Sequence, residues 1–471
     1  MRSPLRSLLS AAVVAAVSAC STTPALELSV TPNTIAGDGV SPVTVTVKLT
    51  KGGAPAEGTV HLTTSGGSFK ESAGGGGDPA VADVTVSDGS GTAIILPPRK
   101  GRGTIDVKAT ASLEGAALTQ SKSVTLTPSG GLASTLSFTC ARQNIGALVS
   151  GRSEAIHVQC TAVAKNVNNQ VIPNASIETM AEAGRLEWVT NPADGVQNLI
   201  YTVDVGASPP KDVDPLDASG KPTSTCASAC QTDPNATGCV EPCWVGGNVT
   251  HNPRDGVATL IVAVPGVKAF DDKGEPFVDA DDDGARGPSE AYIDFNGNGK
   301  YDVADGTQHE RLIWTALRIV WSGEADTSPT SHGSKITKVG GTGTTATMQL
   351  RLNDSNFNSL AADGTAGADG VQVDSSACNN GGSITIAPTA LKLNQVTPGI
   401  KFDPITGDIS GPGFPSTYRN GTEYNFTATV DAAGNTCDLE ATLSRTYDPG
   451  APGFPSTGEL SSESIAGSIA F

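Results

Sequence analysis

Aromatic side chains are only 4% of the 471 residues, and methionine occurs three times. Any core must therefore be built mainly from small aliphatic residues. Histidine occurs five times, at His61, His157, His251, His309 and His332, with no HExxH or HxH pair among them. No GxSxG elbow or GxxxxGK[ST] loop is present either, so the common hydrolase and nucleotide-binding signatures are excluded. Basic residues are few: 30 Lys and Arg face 48 Asp and Glu, a net charge of −18. Such a surface repels phosphate backbones, which excludes nucleic acid as a partner. After residue 19 no apolar run approaches the roughly 20 residues that span a bilayer. Gly and Pro together number 85, or 18%, below the roughly 25–30% that marks disorder. Thr and Val are plentiful, the composition of short strands separated by many turns.

The first residues are built differently. Arg2 and Arg6 precede an apolar stretch from Leu8 to Val17, and Val17-Ser18-Ala19-Cys20 closes it. About ten apolar residues are too few to cross a membrane but suit an export signal. The pattern resembles the bacterial lipoprotein signal. That resemblance implies removal of residues 1–19, acylation of Cys20, and a tether over residues 20–25. It also implies attachment to a membrane through the lipid; Ser21, rather than Asp, points to the outer membrane of the cell envelope. An ordinary secretory signal cut after Ala19 fits the same residues, and both readings export the chain. Of 471 residues, 452 remain after cleavage, enough for about three domains of roughly 150 residues.

With Cys20 given to lipid, eight cysteines remain, and in an oxidising compartment they are expected as disulfides. Cys140 and Cys160 form one group, Cys226, Cys230, Cys239 and Cys243 a tight cluster, and Cys378 and Cys437 a third. The expected pairs are Cys140–Cys160, Cys226–Cys243 around Cys230–Cys239, and Cys378–Cys437. The cluster alone allows three connectivities. Four thiolates holding zinc is the alternative, although the spacing is CxxxC twice rather than CxxC.

From Leu26 to Pro128 apolar and polar residues alternate. Val43, Val45, Val47 and Leu49 share one face; Val60 and Leu62, Val84 and Val86, Ile105 and Val107, and Val124 and Leu126 repeat the period of two. Turn signals lie between them at Gly37-Asp38-Gly39, Gly52-Gly53, Gly74 to Gly77 and Asp88-Gly89. About seven strands in 100 residues predict an immunoglobulin-type sandwich over residues 26–128. Pro42 to Val47, Gly53 to Gly58, Ser65 to Phe69, Asp88 to Ala93 and Thr104 to Ala109 follow in an order that resembles the group 1 bacterial Ig-like modules of invasin- and intimin-like surface proteins.

The pattern recurs over residues 134–322. His157 to Ala164 alternates, Asn166 to Gln170 turns, and Asp255-Gly256-Val257-Ala258 repeats the Asp-Gly-x-Ala strand start of the first module. Two insertions enlarge this copy: the cysteine cluster over 206–246 and an acidic segment over 268–311. Residues 176–187, rich in Glu and Ala, read as strand rather than helix by their place in the repeat. Leu312 to Trp321 predicts a closing strand and 322–334 a linker. A third Ig-like domain is expected over 335–471, where Met348, Leu350 and Leu352 alternate and Tyr424 to Val430 runs into Asp431-Ala432-Ala433-Gly434-Asn435. Pro-Gly-Phe-Pro-Ser-Thr occurs at 412–417 and again at 452–457, which reads as a turn used twice. The predicted class is all-β, with tandem Ig-like sandwiches.

The acidic segment carries the chemistry. Between Asp271 and Glu310 stand twelve carboxylates and three Lys or Arg. Asp279, Asp281, Asp283, Gly284 and Glu290 fit D-x-D-x-D-G-x5-E. Carboxylates at alternate positions curl around one hard cation, glycine allows the sharp turn, Ala285 offers its carbonyl, and the final Glu closes the shell. Fifteen residues on, Asp294, Asn296, Asn298 and Gly299 repeat the pattern, with Lys300 giving a carbonyl, Asp302 acting through water, and Asp305 in the closing place. Glu275-Pro276-Phe277-Val278-Asp279 aligns with Glu290-Ala291-Tyr292-Ile293-Asp294. Only three residues separate the loops, so paired EF-hands do not fit. The loops resemble thrombospondin type 3 or dockerin-like calcium repeats, which implies structural Ca²⁺ held on the order of 10⁻⁴–10⁻³ M, as in extracellular modules.

Together these features predict a non-enzymatic, lipid-anchored envelope protein for adhesion, display or complex assembly, with envelope proteins, surface proteins or glycans as partners. Its recognition surfaces are expected on the two insertions. One rival is an extracytoplasmic hydrolase or carbohydrate-acting protein whose pocket would lie in 335–471. The other is a structural spacer.

Overall fold

The computed structural model describes residues 23–70, 79–129, 131–189, 197–217, 219–232, 241–267, 274–304, 311–328, 333–361, 370–392, 401–402, 409–410, 422–448, 450–454 and 459–471. The signal, Cys20, Cys239, Asp305, His309, His332 and the first hexapeptide copy lie outside them. The chain divides into two compact units, Met1–Thr127 and Pro128–Phe471. Nearly all regular structure is β, arranged as tandem Ig-like sandwiches.

The first unit is a single sandwich. One sheet orders Pro24–Thr31, Val43–Lys51, Ser90–Leu96 and Ser68–Phe69, with Ala54–Pro55 beside the second of these. The other orders Thr34–Ala36, Ala116–Thr127, Thr104–Leu113, Gly58–Thr64 and Val81–Val86. Alternation is the cause: Val43, Val45, Val47 and Leu49 are buried, while Thr44 and Lys48 between them face solvent. They meet Val60, Leu62, Val84, Val107 and Val124 from the facing sheet in one core. Asp88 and Gly89, with φ of 52° and 77°, form the two-residue turn between Val81–Val86 and Ser90–Leu96. That is the geometry whose twist matches hairpin strands. Among the described residues ten strand segments replace the seven expected, because the edges are broken into short pieces. The first strand begins at Pro24, inside the span read as tether.

The second unit holds two sandwiches. In the middle one, Thr135–Cys140, Ile156–Lys165, Gln197–Val203 and Arg185–Trp188 face Asn144–Ile145, Arg311–Trp321, Val257–Gly266 and Glu178–Ala181. Asn144–Ile145 runs parallel to the closing strand, as Thr34–Ala36 does to Ala116–Thr127 in the first sandwich. Residues 176–187 carry strand, as expected. Trp321 is fully buried, its indole N–H donating to the Tyr201 hydroxyl at 2.9 Å, which donates to the Ala183 carbonyl at 2.7 Å. In the third sandwich, Lys335–Gly340, Thr345–Leu352, Thr422–Val430 and Ile384–Ala387 face Ala390–Lys392, Gly370–Cys378, Thr436–Asp448 and Glu459–Ala470. Cys140–Cys160 and Cys378–Cys437 each join directly paired residues of neighbouring strands.

Residues 322–328 and 333–334 are not the free linker that the polar composition of 322–334 suggests. Ser322 and Ala325 are buried, and the Gly323 N–H donates to Asp354 at 2.9 Å. The Asp326 N–H donates to the Asn353 carbonyl at 2.8 Å. The loop 353–361 reaches back to the middle sandwich: Asn144 donates to the Ser359 carbonyl, Asn358 to that of Asp255, and Trp244 to that of Ser355. The polar residues read as linker form a joint that the loop 353–361 ties down by hydrogen bonds. Residues 451–454, which run into the second hexapeptide copy, form a turn, and Phe454 packs on the His157 ring at 4.7 Å.

Candidate metal-binding layer

Val257–Gly266 is buried at all ten positions. A strand reads as a continuous apolar run when both its faces are covered. Ala258, Leu260, Val262 and Val264 enter the sandwich core. Ile261 and Ala263 face outward and are covered by Val278 and Ile293 of the acidic segment, with Leu312, Trp314 and Ala316 around them. Burying Val278 and Ile293 contributes about 1.5–3 kcal/mol each. Residues 274–304 of the acidic insertion thus form a third layer on the sheet.

Within that layer the two registered copies pair. Phe277 bridges Tyr292, the Val278 N–H donates to the Ala291 carbonyl at 2.9 Å, and the Ile293 N–H donates to the Pro276 carbonyl at 3.0 Å. A loop follows each short extended segment. In the first, Asp279 accepts the N–H groups of Asp283 and Gly284, and Asp283 accepts that of Ala285. In the second, Asp294 accepts those of Gly297, Asn298 and Gly299. Gly284 and Gly299 take φ of 78° and 74° at the sixth position of each loop, where a side chain would be strained.

Carboxylate oxygens of Asp279, Asp281 and Asp283 lie within 4.8 Å of one another. Asp279 is buried, and its carboxyl is pushed up to about 6, first by burial and then by the Asp282 charge. Asp281 Oδ1 is buried with no hydrogen-bond donor, while its side chain lies 3.7 Å from Lys211. A hard, oxygen-seeking cation suits this donor set: it would satisfy the orphaned oxygen and relieve the crowded charge. In the second loop Asn296 and Asn298 donate their side-chain amides to Asp302. Those two residues are exposed.

Glu290 and Glu275 occupy matching places. Glu290 accepts the N–H groups of Ala280 at 2.7 Å and Gly287 at 2.6 Å, positions two and nine of the first loop. Glu275 accepts those of Phe295 at 2.5 Å and Asp302 at 3.0 Å, positions two and nine of the second. Both glutamates are buried. Reading the motif forward along the chain missed Glu275, because it precedes the first loop and reaches the second only through strand pairing. The 15-residue repeat of Glu275 at Glu290 was the available signal.

Sequence reasoning also missed a cluster of three buried charges, Glu241, Arg254 and Arg318, that holds Asp282 of the layer. Arg254 and Arg318 are 3% and 1% exposed. Arg254 bonds Glu241 through Nε at 3.1 Å and Asp282 through Nη1 at 3.2 Å, and Arg318 also pairs with Asp282. Asp282 is the one aspartate of the first acidic loop off the alternate positions, and its side chain turns inward while Asp279, Asp281 and Asp283 converge on the candidate site. Cys226 is bonded to Cys243. Cys230 is also disulfide-bonded.

No family model matches this sequence, and no curated protein matches it. Among solved structures, invasin, a bacterial integrin-binding protein, aligns at 14% identity over 94% of this chain and 59% of that one, with a TM-score of 0.21. InvD of Yersinia pseudotuberculosis aligns at 13% identity over 94% of this chain and 96% of that one, with a TM-score of 0.23. Domains 5–6 of the S-layer protein SbsC align at 14% identity over 39% and 87%, with a TM-score of 0.16. The chain spans about three fifths of the invasin structure. The architecture itself rests on the strand order and register above.

Proposed function

We propose that this chain is a non-catalytic scaffold of the bacterial cell envelope, held to the outer membrane by lipid on Cys20, that presents a calcium-stiffened layer for adhesion or envelope assembly. One observation carries the reading: the acidic insertion folds as a layer on the sheet, with Asp279, Asp281 and Asp283 converging beside a buried oxygen that lacks a donor. Asp279, Asp281, Asp283, the Ala285 carbonyl and Glu290 hold the first ion. Asp294, Asn296, Asn298, the Lys300 carbonyl and Asp302 form the second site. Envelope or surface proteins and glycans are the partners for which such a platform is suited, because loops on a rigid scaffold carry recognition. Integrin binding is stated of invasin and is not carried over.

Calcium is expected to slow protease cleavage within 268–311 by at least about tenfold relative to chelator, and to leave the first sandwich unaffected. Equal cleavage under both conditions would remove the ion from the reading. Mass spectrometry of the membrane fraction should find Cys20 acylated at the processed N-terminus; an intact Met1 would overturn the anchor.

Glu275 closes the second loop in the place that forward reading gives to Asp305. Accordingly, Glu275→Gln should weaken calcium at the second site on the order of tenfold, with calorimetry resolving the two sites. Asp305→Asn should change it less than Glu275→Gln does. The reverse order would return the closing role to Asp305.

A further inference from the structure

We propose that the disulfide-closed insertion and the acidic layer are one coupled device, in which closure at Cys226–Cys243 governs how firmly the acidic loop is held. The connection is physical. Glu241 lies two residues before Cys243, and both are buried. Its carboxylate accepts the Leu216 N–H at 2.7 Å and the Arg254 Nε at 3.1 Å. Arg254 donates onward to Asp282, and through Nη2 to the Asp214 carbonyl. Asp282 is held from its other side by Arg318 of the closing strand.

Glu241, Arg254, Asp282 and Arg318 therefore form a chain of two positive and two negative charges, none more than 10% exposed at the side chain. In such a setting a charge that loses its partner cannot remain dry, so the cluster is held together or opened to water as a unit. The Cys226–Cys243 bridge ties the segment that carries Glu241. Opening it loosens Glu241, and with it the Leu216 N–H that Glu241 accepts and the Asp214 carbonyl that Arg254 holds. Arg254 then turns toward water, and Asp282 loses one of its two anchors. Asp282 is flanked by Asp281 and Asp283 and takes a φ of 54°, so its release loosens the whole acidic turn. Coupling of this kind is reciprocal: loosening the turn must equally loosen the insertion.

The device needs no bound ion, so it is tested in chelator, apart from the calcium reading. Hydrogen exchange is measured on the whole chain for Glu241→Gln, which keeps the disulfide, and for the double variant Cys226→Ser with Cys243→Ser. Both should accelerate exchange at residues 280–295 on the order of tenfold, with Val257–Gly266 still protected. Asp282→Asn should accelerate exchange at Val213 and Leu216 in return. Exchange at 280–295 within about twofold of the parent in either Glu241→Gln or the disulfide variant overturns the proposal. Unchanged Val213 and Leu216 in Asp282→Asn overturns it as well. Calcium affinity plays no part in either outcome.

Discussion

Arg445→Ala is expected to destabilise the third sandwich by about 3–5 kcal/mol, the usual cost of stranding one partner of a buried pair. Arg445 is fully buried. Its fork donates to the Ala361 carbonyl at 2.8 Å, the Gly323 carbonyl at 2.6 Å, and Glu463 at 3.3 Å. Truncation leaves two carbonyls and a carboxylate without those donors, in a space water must then enter. Lysine is a poor replacement, because a point charge cannot reproduce the planar fork; Arg445→Lys should recover less than half of the loss. All four tryptophans, Trp188, Trp244, Trp314 and Trp321, lie in the middle region, so fluorescence does not report on this sandwich. Exchange of the Thr436–Asp448 amides in urea does. A loss below about 1 kcal/mol would mean that the pair contributes no more than an exposed one.

The same arginine shows why part of this molecule was hidden in the sequence. Alternation fixes local geometry, and Val43 to Leu49 reads as a strand with no knowledge of its partners. Buried charges follow no such period. Glu241, Arg254, Asp282 and Arg318 are scattered along the middle region, and each alone looks like an ordinary surface residue. Asp282 was further masked by standing in a run of aspartates, where spacing marks Asp281 and Asp283 but gives no sign that their neighbour turns inward. The joint at 322–334 failed for the opposite reason. Short polar residues there suit a solvated linker equally well, and only loop 353–361, brought back by the strand pairing of the third sandwich, supplies their partners. The acidic motif itself was legible because a hard cation demands oxygens at fixed local intervals. Its cover of the sheet was half legible: the apolar run Leu260–Val264 has no polar residue on either face of the strand, which points to cover on both.

In chelator, the second unit is expected to gain stability as the pH falls from about 7.5 to about 5, against the usual acid response. Asp255 and Asp354 are 0% and 2% exposed. Burial pushes Asp255 up to about 7, outweighing the Val213 and Asn252 N–H groups that bond it. Burial likewise pushes Asp354 up to about 6, against the N–H groups of Gly323, Asn356 and Asn358. Both folded values stand above the unfolded carboxylate, so folding takes up protons between pH 3.8 and about 7. Stability therefore falls as pH rises through that window and is greatest below it. At about 1.4 kcal/mol for each pKa unit, the gain by about pH 5 is on the order of a few kcal/mol. Urea midpoints at the two ends of that range measure it, with tryptophan fluorescence following the middle sandwich. Asp255→Asn imitates the protonated group and should remove part of the slope there, the rest coming from Glu182, which burial also pushes up to about 7. A midpoint that drops steadily with acidification in the parent would show that these carboxylates reach water or a cation in the folded chain.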